Sequence, residues 1–442
     1  MKTRILLPMI LVLTLVLSAC GGGSSSGTTA ASSGGGSVDK NGHVTLEFWY
    51  SLSGDAGKTV EYLVKQFNDS QSTITVVPTF QGDYATTQAK LYSAIAGGTL
   101  PNVAQVGGAA LLGTSGAVLP ISQFLSGNNG MDTSNIYQAF LDYNTAGGTL
   151  WSMPFNNSVP VMYYNKDLFT AAGLDPENPP KTFADLIADA QKLTVTPSGG
   201  STPTQWGFNT RDDNQWYLST LILENGGKIV NDDETQVIYN SPEAVAMLSL
   251  WSDLVNKYKV MPPNQHSEAQ SDFLAGKLGI FLSSSSSVGS IVQSASFKVG
   301  VAMIPAVGDL GQKLPVGGGS LVIFKNSNQV IVDASWTFVK FMVSHDSSVY
   351  LATHTGYLPI YKDAQQWPEI TSYLAQHPEN SAAIQSLNYV VVIPEFSALG
   401  DSDSALRTAM QQVELGAAAP QAAMDQAKAT VDNSISEMQP TP

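Results

Sequence analysis

Residues His43 to Tyr50 alternate apolar and polar side chains and end in aromatics, as a strand does. Val60, Leu63, Val64 and Phe67 then recur at helical spacing, and Thr73 to Phe80 reads as a second strand. Strands separated by a helical stretch imply a parallel sheet with helices on its faces. Such a sheet collects ligands at the carboxyl ends of its strands. Further helices are signalled downstream. Thr182 is placed as an N-cap with Asp185 three residues on, ahead of Phe183, Leu186, Ile187 and Ala190. The spacing also predicts helices over 242–258 and 334–343, and one started by Pro420 whose Met424, Ala427, Val431, Ile435 and Met438 form an apolar stripe suited to core packing. No internal repeat, coiled coil or acidic tail interrupts this pattern. A single core stops growing at about 250–300 residues. The 442 residues of this chain therefore predict at least two lobes.

Composition narrows the function. With 13% charged and 43% hydrophobic residues the chain is neither disordered nor collagen-like. A net charge of −15 argues against a general nucleic-acid binder, which needs clustered positive charge for phosphate backbones. The only cysteine is Cys20, so neither an intrachain disulfide nor a cysteine-based zinc site is available. The five histidines, His43, His266, His345, His354 and His377, stand apart without metal spacing, and no metal or cofactor is expected.

Lys2 and Arg4 precede an apolar run from Ile5 to Leu17, too short for a comfortable membrane span and suited to an export signal. The following Leu17-Ser18-Ala19-Cys20-Gly21 resembles the lipobox of bacterial lipoproteins. That resemblance implies removal of residues 1–19 and acylation of Cys20. Gly21 to Ser37 is almost entirely Gly, Ser, Thr and Ala, a composition too poor in apolar surface to order itself, so residues 20–43 are read as the lipidated cysteine and its tether. The body is then expected on the outer face of the cytoplasmic membrane, held by lipid rather than by a span.

At 154–184 the chain reads PFNNSVPVMYYNKDLFTAAGLDPENPPKTFA. Together with FWYSLSGDAGKTVEYLVKQFN at 48–68, VPTFQGDY at 77–84, PVGGGSLVIF at 315–324 and HTGYLPI at 354–360, it resembles the extracellular solute-binding proteins of ABC importers, carbohydrate-type branch. Within that branch the likeness is nearest to receptors for glycerol-3-phosphate. The match is thin between 191 and 240 and after 361. The resemblance implies a type II fold: two α/β lobes, each a mainly parallel sheet flanked by helices, joined by hinge strands, with ligand in the cleft. Residues 44–155 plus 316–358 make one lobe, and 156–315 plus 359–442 the other. Such lobes close on ligand, and the membrane permease recognises the closed shape. The implied protein is a monomeric receptor and not an enzyme.

The same resemblance nominates site residues. Tyr84 matches a ligand-contacting tyrosine, its alternative role being lobe packing. Ser158 matches a contacting serine beside the hinge, or caps a turn. The family serine aligns with Ser284 or Ser285, in a polar turn after the apolar Gly279 to Leu282; a plain linker is the alternative. Gly318, within Gly317-Gly318-Gly319, matches glycines whose backbone approaches the ligand, and the triplet lacks dinucleotide-fingerprint spacing. Tyr357 carries over as a contact or as a packed turn residue. Trp216 corresponds to a cleft tryptophan that stacks on an apolar ligand edge. Beyond Arg4 the chain has two arginines, Arg211 and Arg407. A planar guanidinium is the best phosphate partner. The receptors' phosphate-contacting arginine falls, after one inserted residue, at Arg407, with a surface helix arginine as the other reading. Arg211 is expected to pair with Asp212 and Asp213.

One departure bears on the solute. Gly108 stands where those receptors carry a glutamate that accepts from glycerol hydroxyls. The expected solute is glycerol-3-phosphate or a larger glycerophosphodiester, with a neutral sugar such as maltose or trehalose as the alternative. The net charge repels an anion only at long range, since screening acts within about 8–10 Å. A secreted hydrolase is the reading from another class. Its best mark is Gly400-Asp401-Ser402, which does not open a β-α unit as a lipase-type serine does. An adhesin predicts repeats or long β alternation, and neither is present.

Overall fold

The computed structural model describes residues 35–438 apart from 213, 234 and 394–398. The export signal, Cys20 and most of the tether lie outside the described residues. The described residues form one compact unit, built around two sheets.

The first sheet starts from the expected β-α-β unit. Val44–Tyr50 runs parallel to Ile74–Phe80 along its whole length, and parallel to Val103–Val106 on its other side. The connecting helix, Gly54–Ser70, buries Val60, Leu63, Val64 and Phe67, the four residues at helical spacing. Helix Gln329–Met342 covers the same core, where Phe338 meets Phe48 and Phe67 edge-on at 5.1 and 5.2 Å. Edge-on contacts place the positive rim of one ring on the negative face of the next. Within the stretch read as tether, Ser37–Val38 pairs antiparallel with Val44–Thr45. The Asp39 carboxylate holds that hairpin by accepting from the amides of Asn41 and His43 at 2.8 and 2.9 Å.

Neither sheet is mainly parallel, which corrects that part of the sequence reading. In the first sheet Gly317–Phe324 pairs antiparallel with Val103–Val106, Val118–Leu119 and Met153–Ser158. In the second, Trp206–Thr210 is parallel to Leu278–Ser284, while Pro160–Asn165 lies antiparallel between Leu278–Ser284 and Val299–Met303. The cause is the passage of the chain between sheets. Parallel neighbours need a crossover connection within one sheet. A strand that enters directly from the other sheet instead starts where its new neighbours end, and so runs against them. Pro160–Asn165 and Gly317–Phe324 both enter this way.

Met153–Ser158 leads through Val159 into Pro160–Asn165, the first crossing, and the segment from Ile304 to Val316 makes the second. Residues 360–363 still bond to the first lobe, with Lys362 N donating to Asn135 O at 2.7 Å and Tyr137 N to Ile360 O at 3.1 Å. Ser381–Gln385 then packs on Val299–Met303 of the second sheet.

Helix ends follow local chemistry. Thr182 caps Phe183–Leu193, its hydroxyl accepting from Asp185 N at 3.1 Å and donating to the Asp185 carboxylate at 2.7 Å. Ser241 caps Pro242–Asn256. The stripe of the Pro420–Met438 helix is core as expected, with Met424, Ala427, Val431 and Ile435 buried. That helix and Leu399–Glu414 pack on Pro242–Asn256. The packing centres on Glu414, which accepts from Trp251 Nε1 at 2.6 Å and Asn264 N at 2.7 Å and meets His266 Nε2 at 2.9 Å. Among the described residues no helix is long and apolar enough to cross a membrane.

Candidate functional site

The carboxyl ends of Val103–Val106, Met153–Ser158, Trp206–Thr210 and Leu278–Ser284, and the amino end of Gly317–Phe324, converge on one cleft of about 440 Å³. Small-molecule sites generally fall within about 300–1,000 Å³. The cleft brings together Tyr84, Ser158, Trp216, Ser284, Gly318 and Tyr357 of the residues read from sequence, and adds Tyr143, Arg211, Gln215, Ser219 and Asp403.

Tyr84 opens helix Tyr84–Gly97, whose first turn is capped by Asp83 accepting from Thr86 N at 2.8 Å. Its hydroxyl accepts from Asn156 Nδ2 at 2.8 Å and Gln105 Nε2 at 3.3 Å. Gln105 is in turn held by Asn156 Oδ1 at 2.9 Å and by Ser51 N, which donates to its Oε1 at 2.9 Å. A phenol that accepts twice keeps its own proton for a further partner. The Tyr357 hydroxyl stands beside Tyr84, Asn156 and Ser286. Burial pushes both phenols up, Tyr84 well above its ordinary range. Both therefore remain neutral hydroxyls able to donate.

The glycine triplet allows this wall to close. Gly318 has φ +94°, and a Cβ there would sit 2.0 Å from Asn156 O. A Cβ on Gly319 would lie 2.6 Å from Gln105 Nε2 and 2.9 Å from the Tyr84 hydroxyl, while one on Gly317 would strike the Trp216 ring at 2.7 Å. The missing side chains thus let Trp216 and the Tyr84 network approach the backbone from two directions.

Ser284 and Ser285 divide their roles. Ser284 lines the cleft and its hydroxyl lies 2.8 Å from that of Ser286, another lining residue. Ser285 is fully buried and faces the first crossing: its amide donates to Val159 O at 2.8 Å and its hydroxyl accepts from Val159 N at 3.3 Å. Arg407 lies outside this cleft. It is exposed on helix Leu399–Glu414 and lines a separate depression with Asn214, His266 and Glu414, whereas Leu406, the preceding residue, faces the cleft.

Arg211 is the cation of the cleft among the described lining residues, and Asp403 its anion. Arg211 directly follows the Trp206–Thr210 strand, and its amide donates to Leu282 O at 3.0 Å. Its position at a strand's carboxyl end was the signal available in sequence; its aspartate neighbours drew attention away from it. Ser402, the serine of the hydrolase reading, is buried against the Tyr239 hydroxyl, and no histidine lines the cleft among the described residues.

The helix that carries Gln215, Trp216 and Ser219, Asn214–Glu224, ends on a buried carboxylate. Glu224 accepts from Val307 N at 3.0 Å and Lys313 N at 3.4 Å, tying this helix to the second crossing. Burial pushes its carboxyl up to about 7, opposed by the two amides and the Lys313 charge. The folded protein then holds a proton that the unfolded chain releases, so stability falls as pH rises from about 4.5 to about 7, by on the order of 3 kcal/mol. Glu224→Gln lacks that slope. Denaturation curves of the two proteins at about pH 5 and about pH 8 are expected to separate in favour of the variant at the higher pH. An unchanged difference between them at both pH values would mean the carboxyl ionises as it does in the unfolded chain.

Comparison with known proteins agrees with this architecture. The family described as bacterial extracellular solute-binding protein matches residues 62–379. The sn-glycerol-3-phosphate-binding periplasmic protein of Yersinia pseudotuberculosis is 30% identical over 396 residues, covering 86% of this chain and 90% of its own. Its counterpart in Escherichia coli K12 is 29% identical over 355 residues, covering 78% and 81%. Among solved structures, UgpB of Mycobacterium tuberculosis in complex with glycerophosphocholine superposes with a TM-score of 0.78 at 22% identity, covering 89% of this chain and 98% of that one. The cyclic alpha-maltosyl-1,6-maltose binding protein of Arthrobacter globiformis gives 0.77 at 22%, covering 90% and 100%.

Proposed function

The chain belongs to the bacterial extracellular solute-binding proteins, and on that premise we propose that it is the receptor of an ABC importer for a small phosphate ester, glycerol-3-phosphate or a glycerophosphodiester. Its relatives are binding proteins rather than enzymes, and they work outside the cytoplasm. The receptor is a monomer, tethered to the outer face of the membrane by lipid on Cys20. It closes its two lobes over the solute, the first of them keeping Met153–Ser158 and residues 360–363, and presents the closed form to the permease subunits. The solute leaves unaltered.

The observation that carries the solute class is the cleft itself: neutral tyrosine hydroxyls and serine hydroxyls at strand ends, with the guanidinium of Arg211 among them. A guanidinium offers a phosphate two parallel hydrogen bonds, while the hydroxyls suit a polyol. A second reading, a neutral sugar, is favoured by Asp403 lining the same cleft and by its aromatic walls, Tyr84, Tyr143, Trp216 and Tyr357. Calorimetry with glycerol-3-phosphate, glycerophosphocholine, maltose and trehalose separates the two. Binding of a phosphate ester without turnover is expected. Binding of maltose or trehalose alone selects the second reading, and formation of a product overturns both.

A further inference from the structure

The wall of the cleft holds a hydrogen-bond acceptor that the protein itself leaves without a partner. Gln215 is only 7% exposed, lines the cleft, and its side-chain Oε1 has no hydrogen-bond partner. A buried polar atom without a partner is unfavourable, and natural structures keep few of them unless a ligand completes them. Ser219 lies four residues on, hence on the same helix face, and also lines the cleft. Trp216 beside them is wedged against Gly317, which fixes this face of the helix relative to the glycine triplet.

We propose that Gln215 is a specificity-determining residue whose amide oxygen accepts a hydrogen bond from a solute hydroxyl, with Ser219 as its companion one turn along. The inference deepens the receptor reading above and rests on it.

The test is Gln215→Met, which keeps the length of the side chain and removes its polar atoms. Affinities for glycerol-3-phosphate and for n-propyl phosphate, which lacks both hydroxyls, are measured by calorimetry on wild type and variant. Wild type is expected to prefer glycerol-3-phosphate, and the variant to lose about tenfold of that preference or more. Gln215→Glu, which retains acceptor oxygens, is expected to keep the preference even where overall affinity falls. The ligand-free melting temperature is the second readout. It is expected to rise in Gln215→Met, because an unpartnered polar atom is removed; a purely structural glutamine would make it fall. An unchanged preference ratio, or a lower ligand-free melting temperature, overturns the assignment. Should wild type bind neither compound, the phosphate-ester reading fails, and the melting temperature still decides the role of Gln215.

Discussion

Arg211→Ala is expected to weaken binding of a phosphate ester by roughly a hundredfold or more, while Arg407→Ala leaves that affinity within about twofold. The physical basis is placement. Arg211 follows a strand that ends in the cleft, its backbone is pinned to Leu282 O, and its charge reaches the phenols of Tyr163 and Tyr357. Each hydrogen bond to a charged group contributes about 1.5–3 kcal/mol. A bidentate pair lost from the cleft therefore costs about 3 kcal/mol or more, and roughly a hundredfold in Kd follows. Arg407 lines another depression, where its removal changes only exposed surface. The sugar reading predicts a different outcome, since a neutral ligand forgoes the charge and Arg211→Ala then costs tenfold or less. Titration calorimetry of both variants gives the answer, and equal losses in the two would put the phosphate on neither arginine alone.

Gly318→Ala is expected to destabilise the protein by roughly 3–5 kcal/mol, an effect large for one methyl group. Two causes add. At φ +94° a side-chain residue adopts a conformation it rarely visits, and the new Cβ would stand 2.0 Å from Asn156 O, a backbone atom that a rotamer change cannot move aside. Relief requires separating Gly317–Phe324 from Met153–Ser158, the two strands that bracket the first-lobe side of the cleft. Denaturant unfolding of the variant measures the loss, and ligand binding is expected to fail with it. A variant as stable as wild type would mean that the strand pair tolerates a shift at Gly318.

Much of this molecule was legible before any coordinates. The first β-α-β unit, the Thr182 cap, and the stripe from Met424 to Ile435 all rest on spacings of a few residues, and each is present where the spacing put it. Tyr84, Gly318 and Tyr357 also line the cleft, and it was the resemblance of their short segments to the solute-binding proteins, not local spacing, that pointed to them. The direction of the strands was not. A hinge strand has the same alternation whether it runs with or against its neighbours, so the mixed character of both sheets has no local mark. The separation of Ser284 from Ser285 was hidden for a related reason. Adjacent residues at the end of a strand point to opposite sides, and only the pairing of Ser285 with Val159 decides which one lines the cleft.

The two arginines show the division most plainly. That either guanidinium could hold a phosphate follows from its chemistry, and that the chain offers only two arginines beyond Arg4 follows from counting. Which of them faces the cleft depends on the register of Trp206–Thr210 against Leu278–Ser284 and on the rotation of helix Leu399–Glu414 about its own axis. Gln215 belongs with them, since an unpartnered amide oxygen is defined only by what packs around it. Local periodicity is written by neighbours a few residues apart, and short-range sterics and hydrogen bonding suffice to express it. Convergence of side chains into one cleft is written by segments a hundred residues or more apart, and it exists only once their packing has set register and rotation.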